Sequence, residues 1–200
     1  MSLIRSDKHL RDYNQDWKVT TAPSIEPITN DEVKLYARID GSSEDNLIDS
    51  FIEAVRGATE KFLGRALINQ SITVSMDNWP ASPIELPRPP LVSITEVRTV
   101  GEDLSESVYS SDNYYARTNP EPGELIIKFE KTDPCNTDRY FGGYEIELVA
   151  GYGATADDVP QAIKLGMIMW VADVYENRVP ISEPPGIVKT IMAPYRVIPV

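Results

Sequence analysis

Residues 158–178 repeat their apolar side chains at helical spacing, but these side chains cover almost every side of the predicted helix. A helix of this kind must be covered on most of its sides. In a chain of 200 residues, either the domain itself wraps the helix, or a neighbouring copy covers its second face. One face carries Ala162, Ile163, Gly166, Met167, Trp170, Val171, Val174 and Tyr175. The second face, our candidate subunit interface, carries Leu165, Ile168, Met169 and Ala172.

Capping signals predict where two helices begin. Thr29 and Glu32 form a capping box, which starts a short helix that runs through Ile39. Asp158 is expected to cap the apolar C-terminal helix, with Pro160 tolerated in its first turn. The apolar residues of the short helix, which form its expected buried set, are Val33, Leu35, Tyr36 and Ile39.

A longer second helix is predicted between Ser43, its expected cap, and Gly64, a residue type that commonly ends helices. Apolar residues recur every three or four positions from Leu47 to Leu63, which indicates one buried stripe. The side opposite this stripe is expected to be a solvated acidic face. Its carboxylates are Glu44, Asp45, Asp49 and Glu53.

The middle of the chain changes to a period of two, which is typical of strands. Apolar and polar residues alternate over Ile68–Met76, which predicts a half-buried strand. Further strands are predicted at 91–100, 124–129 and 144–150. Because helices flank these strands in sequence, the prediction is an α+β fold: a helical core built from N- and C-terminal helices, with an inserted small antiparallel β-sheet lobe.

The expected organisation has four parts. They are an N-terminal arm (1–26), a helical core (27–66 and 157–180), an inserted β lobe (67–156) and a C-terminal tail (181–200). The tail is unusual because it is rich in apolar residues, whereas disordered tails are normally polar. It therefore packs on its own chain or waits for a partner, and the sequence leaves both possibilities open.

The sequence offers little for catalysis or for metal binding, and we predict no cofactor. His9 is the only histidine and lies in the polar arm, which excludes a catalytic triad with histidine and a multi-histidine metal site. Cys135 is the only cysteine and has no histidine near it in sequence. The motif Gly151–Ala156 has the spacing of a dinucleotide fingerprint, but Asp157 and Asp158 stand where a pyrophosphate needs a positive helix end. We expect a tight turn there.

The formal net charge is −12, and lysine and arginine form no cluster. A nucleic-acid-binding protein usually presents a basic face. The charge balance therefore disfavours tight DNA binding, and if DNA comes near this protein, we expect it to slide past without sticking. The longest apolar run, 165–172, is too short to span a bilayer, so we expect no membrane partner.

The order of several short segments resembles the phage head–tail connector family, whose members are also called adaptor or DNA-packaging proteins. The resemblance covers residues 27–196 and depends on the order of the segments more than on any one of them. The segments are EVKLYARID (32–40), EDNLI (44–48), ATEKFLGRALI (58–68), ELPRPPLVSI (85–94), VAGYG (149–153), VPQAI (159–163), VYENR (174–178) and PYR (194–196).

The resemblance implies a structural protein of a phage, prophage or gene transfer agent particle, located at the portal vertex after assembly in the bacterial cytoplasm. It implies a ring of about twelve copies below the portal, with the portal protein on one side and the next connector, stopper or tail protein on the other. DNA would pass through without sequence-specific binding. The C-terminal tail would dock on the portal through Ile187, Val188, Ile191, Met192, Tyr195 and Arg196.

Three alternatives remain open at this stage. The first is another component of the portal vertex, such as a stopper or tail-completion protein. The second is a small ligand-binding module, whose β lobe would hold a ligand by Trp79, Tyr114, Tyr115 or Tyr140. The third is an enzyme, and it is the weakest because the sequence shows no set of acid, base and nucleophile.

Overall fold

The computed structural model describes residues 15–134, 137–178 and 180–197. Its helices are α1 (Asn30–Ala37), α2 (Asp45–Leu63), α3 (Gln161–Asn177) and α4 (Gly186–Met192). Its strands are β1 (Gln15–Thr21), β2 (Gln70–Met76), β3 (Ile84–Glu85), β4 (Leu91–Val100), β5 (Glu106–Tyr109), β6 (Tyr114–Arg117), β7 (Glu124–Ile127) and β8 (Tyr144–Ala150). Helices precede and follow strands β2–β8 in the chain, which confirms the predicted α+β class. We call the two sheets built from β1–β8 the β block.

The strands form two antiparallel sheets. The larger has five strands in the order β1-β2-β8-β4-β5, and the smaller has three in the order β3-β7-β6. Alternation places the apolar residues of paired strands on one face; Ile72 pairs with Leu148, and Val74 with Ile146. These side chains form the core of the β block together with residues such as Leu86 and Leu125.

The helices share a second core, at whose centre lies α3. α1, α2 and α4 all pack on it, and its buried face carries Ile163, Met167, Trp170, Val171 and Val174. The stripe of α2 predicted from sequence packs here through Ile48, Ile52, Val55 and Leu63. No helix of the described residues has the length and hydropathy needed to cross a membrane.

Two of the predicted helix ends are confirmed. The Thr29 amide donates to the Glu32 carboxylate over 2.7 Å, and the Glu32 amide donates to the Thr29 hydroxyl over 3.2 Å, which completes the capping box of α1. Gly64 ends α2 with a φ of 69°, in the left-handed region that favours glycine. At the start of α2 the expectation was wrong: the helix begins one residue after Glu44, and no side chain caps it.

The expected cap of α3 was also wrong. Asp158 accepts hydrogen bonds from the backbone and hydroxyl of Thr155, and so closes a short 3-10 helix at Ala156–Asp158 before α3 begins. The glycine motif, predicted to be a tight turn, is instead a bent segment that packs beside residues 67–69: Gly153 forms a parallel bridge with Ile68, and the Tyr152 amide donates to the Leu67 carbonyl over 3.1 Å. A side chain at Gly153 would lie 2.1 Å from the Asp158 carboxylate, and one at Gly151 would lie 2.5 Å from the Asn69 backbone nitrogen.

Some apolar residues predicted to be buried are exposed. Leu35 is 84% exposed and Tyr36 is 49% exposed, whereas Val33 of the same helix is fully buried. The helical period alone cannot say which part of a wide apolar stripe the neighbouring helices will cover. Phe129 is also exposed, because β7 ends at Ile127 and the chain then turns away from the sheet.

Residues 15–21, which the sequence placed in the arm, form the edge strand β1 and pair antiparallel with β2. Nearly all of β1 is exposed, and an edge strand of this kind needs no alternation of apolar and polar residues. This is why its sequence shows no period. Residues 1–14 of the predicted arm, His9 among them, lie outside the described residues, as does Cys135.

Candidate assembly surfaces

The candidate interface residues of α3 lie on the side of the helix that faces away from α2. Successive residues of an α-helix are turned by roughly 100°, so Lys164 and Gly166 point in nearly opposite directions. Lys164 forms an ion pair with Glu32 of α1 at 3.6 Å, while a side chain at Gly166 would lie 2.6 Å from the Met192 methyl of α4. Leu165 therefore stands between α1 on one side and α4 on the other.

This outer face of α3 is apolar and only partly covered. Leu165 is 44% exposed. Ile168 and Met169 are half-buried, with part of each side chain against the helical core. Ala172 is buried. Ala172 thus lies at the buried base of this face and Leu165 is exposed on its surface. The role of the face as a subunit interface stays a prediction.

α1 lies beside α3 and runs in the same direction. Asn30 donates to the Asp49 carboxylate at 2.9 Å, and Lys34 contacts Asp45 at 2.9 Å, so α1 runs antiparallel to α2. The start of α2 meets the end of α3, where the Tyr175 hydroxyl donates to Glu44. Since α2 is antiparallel to both helices, α1 and α3 are parallel.

The parallel arrangement brings the exposed apolar residues of α1 level with those of α3. Glu32 lies beside Lys164, so Tyr36, one turn later, comes level with Ile168, also one turn later. Leu35 lies next to Tyr36 and points further outward. We call Leu35, Tyr36, Leu165, Ile168 and Met169 together the α1–α3 apolar face.

The carboxylates predicted to form a solvated face of α2 have a structural task that the sequence did not reveal. Asp45 and Asp49 hold α1 in place through Lys34 and Asn30, and Glu44 holds the end of α3 through Tyr175. Of this set, Glu53 forms no ion pair with another described residue. These contacts fix the position of the α1–α3 apolar face.

The ion pair beneath this face affects the ionisation of Glu32. Burial opposes the charged form of Glu32, but hydrogen bonds from Thr29 and the charge of Lys164 outweigh it, so the pKa of Glu32 lies below its ordinary value. Lys164 itself is buried. A buried lysine needs a charged partner, and Glu32 supplies it.

The predicted docking residues of the C-terminal tail divide into two sets. Val188 and Met192 are buried in the helical core of the same chain. Ile187 is 58% exposed, Arg196 is exposed, and Ile191 and Tyr195 are half-buried. The tail therefore packs on its own chain with one side and leaves the other side open; whether that side binds the portal stays a prediction.

Hydrogen bonds tie the end of the tail to the end of α2. The Val197 amide donates to the Leu63 carbonyl over 2.8 Å, and the Arg65 guanidinium donates to the Tyr195 carbonyl. Arg196 stacks over the Phe62 ring at 5.3 Å. Residues beyond Val197 lie outside the described residues.

A polar network joins the two cores where α2 meets the β block. Its central residue is Glu60, which is buried and accepts hydrogen bonds from the Leu67 amide (3.0 Å) and the Gln70 side chain (2.9 Å). Arg88 donates to the Glu60 carbonyl over 2.6 Å. We call Glu60, Arg65, Gln70, Arg88 and Glu121 the junction network. Sequence reasoning missed it, although the charged residues within the segment 58–68 were a signal.

Charges within the junction network shift one another. A hydrogen bond from Arg65 lowers the pKa of Glu121 below its ordinary value, and the two side chains are 2.5 Å apart. Burial lowers the pKa of Arg88, which has no side-chain carboxylate within ion-pair distance among the described residues. Instead its guanidinium stacks over Trp17 of β1 at 4.5 Å. The network links α2 to strands β1 and β2 of the larger sheet, to the loop before β7 and to the tail.

The polar face of the larger sheet is acidic. Arg98 of β4 lies among four carboxylates, with Glu145 at 2.6 Å and Glu96 at 3.2 Å. Glu106 and Glu147 are more distant, at 3.8 Å and 3.9 Å. One guanidinium cannot neutralise four carboxylates, so this face keeps a negative charge.

None of the four aromatic residues proposed for ligand binding lines either of the two grooves described below. Trp79 packs on Tyr144 and Tyr114 stacks on Tyr109. Tyr115 and Tyr140 are exposed. Two shallow grooves occur elsewhere, one of about 500 Å³ lined by Ile25, Ile28 and Ile52 among others, and one of about 350 Å³ beside Trp17 and Arg88. Among the described residues, no cluster of three or more His, Cys, Asp or Glu side chains could hold a metal ion.

The described residues thus form an α+β fold with partly exposed apolar surfaces on α1, α3 and α4. The sequence specifies the class further: residues 26–181 match the family model described as head completion protein. The match spans more than half of the chain, so the chain belongs to the head completion protein family. This confirms the resemblance to connector proteins of phage-like particles that the segment order indicated.

Solved structures of gene transfer agent (GTA) particles share the fold. A chain from the neck of an empty GTA particle, computed with C6 symmetry, superposes with a TM-score of 0.79 at 20% identity, covering 92% of this chain and 97% of that chain. A chain of the native GTA virion gives 0.76 at 21% identity, covering 92% and 96%. A chain of the native neck, computed with C12 symmetry, gives 0.71 at 20% identity, covering 92% and 97%. No curated protein matches the sequence significantly.

Proposed function

We propose that this protein is a head–tail connector of a phage-like particle, located at the portal vertex, where it forms a ring through which DNA passes. The observation that carries the proposal is that family and fold agree. The chain belongs to the head completion protein family, and chains of GTA particle necks have the same fold over 92% of its length. The protein would act by shape and self-association, without catalysing a reaction.

The ring would contain about twelve copies, as implied by the resemblance to connectors and supported by the C12 symmetry used for one matching neck. Closing a ring requires two different faces on each subunit, because copies related by rotation meet head to tail. The outer face of α3, where Leu165 is exposed and Ile168 and Met169 are half-buried within the subunit, is our candidate for one of them. The β block and the helical core would act as separate parts of this ring.

The tail would dock on the portal. Since Val188 and Met192 are buried in the subunit, they would anchor α4, and the contact itself would come from Ile187 and Arg196, with Ile191 and Tyr195 at the edge. A neighbour on the opposite side of the ring, such as a stopper or tail protein, would complete the neck. The tail would thus contact its own helical core with one side and the portal with the other.

DNA would pass through the ring without sequence-specific binding. Twelve copies with a net charge of −12 each carry on the order of a hundred negative charges, which repel the phosphate backbone. The acidic face around Arg98 suits such a passage, because its carboxylates outnumber its cation. Repulsion keeps DNA mobile in the channel.

Deleting the gene in a particle-producing strain tests the proposal directly. We expect heads that contain DNA but carry no tail, and we expect a labelled copy of the protein to restore tails and to appear at a single vertex in electron micrographs. Tailed particles of normal yield without the gene, or label spread over the whole head, would contradict the proposal.

A further inference from the structure

Helix α2 has an exposed face on the side of the subunit opposite the α1–α3 apolar face. Along α2, the residues that point away from α3 are exposed, and three of them on one stripe are small: Ser50, Ala54 and Gly57. Gly57 is turned by roughly 180° from Ile48 of the buried stripe. We call Ser50, Ala54 and Gly57 the α2 small face.

No contact among the described residues requires a glycine at position 57. Gly57 lies in the interior of a helix of 19 residues, where glycine is less favourable than alanine. A side chain there would meet no atom within 4 Å, and its φ is not in the left-handed region. The absence of a side chain therefore serves no contact inside this chain, but it leaves a smooth surface on which another helix can lie closely.

Arg38 lies beside the α1–α3 apolar face and has a backbone conformation that is unusual for its residue type. It follows α1 with a φ of 55°, a left-handed conformation in which glycine or asparagine is usual. The side chain is exposed three residues after Leu35 and forms no ion pair with another described residue. An arginine thus occupies a position where the backbone favours glycine.

The two faces complement each other in shape and in charge. The α1–α3 apolar face is bulky, with Leu35 projecting most, and has the unpaired cation Arg38 at its edge. The α2 small face is flat; Glu53 lies at its edge four residues before Gly57 and the exposed Lys61 lies four residues after it, and neither forms an ion pair with another described residue. Because they lie on opposite sides of one subunit, they can meet only between copies, and repetition of that contact closes a ring.

We infer that the α1–α3 apolar face of each subunit docks on the α2 small face of the next copy, with Arg38 opposite Glu53. The inference rests on the proposed ring, and it names the second face of the interface. The occupant of the apolar face is a second copy of this chain, because the same chain carries the complementary surface.

A charge exchange tests the contact in particles made by cells that lack the wild-type gene. We expect Arg38→Glu and Glu53→Arg each to lower incorporation into particles by at least about tenfold, the effect of losing one good interface contact. The double variant should recover most of the loss, since each copy then carries the pair in reverse. Equal loss in the double variant, or normal incorporation of both single variants, would overturn the inference.

Gly57→Arg separates assembly from folding. The side chain has open space in the isolated subunit, and arginine is a better helix former than glycine, so thermal unfolding should occur at the wild-type temperature or above it. Incorporation should nevertheless be lost. The matched control is Ala81→Arg, which adds the same charge at an exposed position in the β block. Normal incorporation of Gly57→Arg would overturn the inference.

Cross-linking distinguishes a wrong interface from a wrong ring. In a Cys135→Ser background, Leu35→Cys and Gly57→Cys in one chain should yield a ladder of multimers with a short bis-maleimide, whereas Ala81→Cys with Gly57→Cys should not. If an amine-reactive cross-linker yields multimers but the Leu35 and Gly57 pair does not, the ring stands and the interface is wrong. If neither reagent yields multimers in particles, both proposals fail.

Discussion

Glu60 shows how one residue can join two cores. Its carboxylate accepts hydrogen bonds from the Leu67 amide and from Gln70, the residue that opens β2, and Arg56 lies 3.6 Å away. Its carbonyl accepts from Arg88 on the other side of the junction. A buried charge is tolerated when partners surround it, and here those partners come from several elements. The orientation of the β block relative to α2 therefore depends on this side chain.

We predict that Glu60→Ala lowers the free energy of unfolding by about 3 kcal/mol, because it leaves the Leu67 amide and the Gln70 side chain buried without an acceptor. Glu60→Gln, which keeps an acceptor oxygen, should cost less. The control is Glu53→Ala on the exposed side of the same helix, with a change of less than about 0.5 kcal/mol. Urea unfolding followed by circular dichroism measures all three, and equal effects at residues 60 and 53 would refute the assigned role.

At the scale of elements, α4 has a buried inner side and an exposed outer side. The inner side packs Val188 and Met192 against Gly166 of α3, where a side chain at Gly166 would lie 2.6 Å from the Met192 methyl, so the methionine would have to move. The outer side leaves Ile187 exposed. A seven-residue helix is too short to be stable alone, so α4 depends on its inner contacts, and the proposed contact with the portal would use its outer side.

The two sides of α4 predict two separable variants. Met192→Ala should lower the free energy of unfolding by about 2–4 kcal/mol, through loss of a buried side chain and the cavity left behind. Ile187→Glu should leave stability within about 0.5 kcal/mol and yet reduce co-purification with the portal. Val92→Glu, an exposed aliphatic residue in the β block, is the control. Normal binding of Ile187→Glu to the portal would remove the docking role from this side.

At the scale of the whole molecule, carboxylates outnumber cations, 31 to 19. Several of these carboxylates stabilise the native state in their charged form. The pKa of Glu32 is lowered by Thr29 and Lys164, against the opposing effect of burial, and that of Glu121 is lowered by Arg65. A carboxyl whose pKa is lower in the folded state stabilises the protein above its unfolded pKa. That contribution is lost as the pH falls through the folded pKa. Glu26 acts in the opposite sense, because burial raises its pKa.

We therefore predict that stability decreases as the pH falls below the ordinary glutamate pKa of 4.5. Glu121→Gln should reduce this decrease, though only by about 0.5 kcal/mol, since a partly exposed ion pair is screened by solvent. The exposed Glu130→Gln is the control. Urea midpoints at neutral pH and below the glutamate pKa measure the effect, and a wild-type midpoint that stays constant or rises in acid would contradict it.

Local signals determined much of the fold in advance. The capping box at Thr29, the terminating Gly64 and the strands at 91–100 and 144–150 follow from hydrogen bonds and periods within a few residues, and the structure has them at those positions. The start of α3 was misplaced for a similar local reason, because Asp158 had a nearer partner in Thr155. Edge strand β1 was missed because it is exposed on both sides and so has no period.

The sequence by itself determined the α+β class, the family and the presence of one helix, predicted at 158–178, with apolar residues on almost every side. Only the tertiary structure decided which of those sides remain uncovered. Leu35 and Val33 are equally apolar in sequence, yet one is exposed and the other fully buried, because α2 and α3 cover one side of α1 and leave the other open. Periodicity reports which residues are apolar; burial depends on where distant elements pack, and no short segment carries that information.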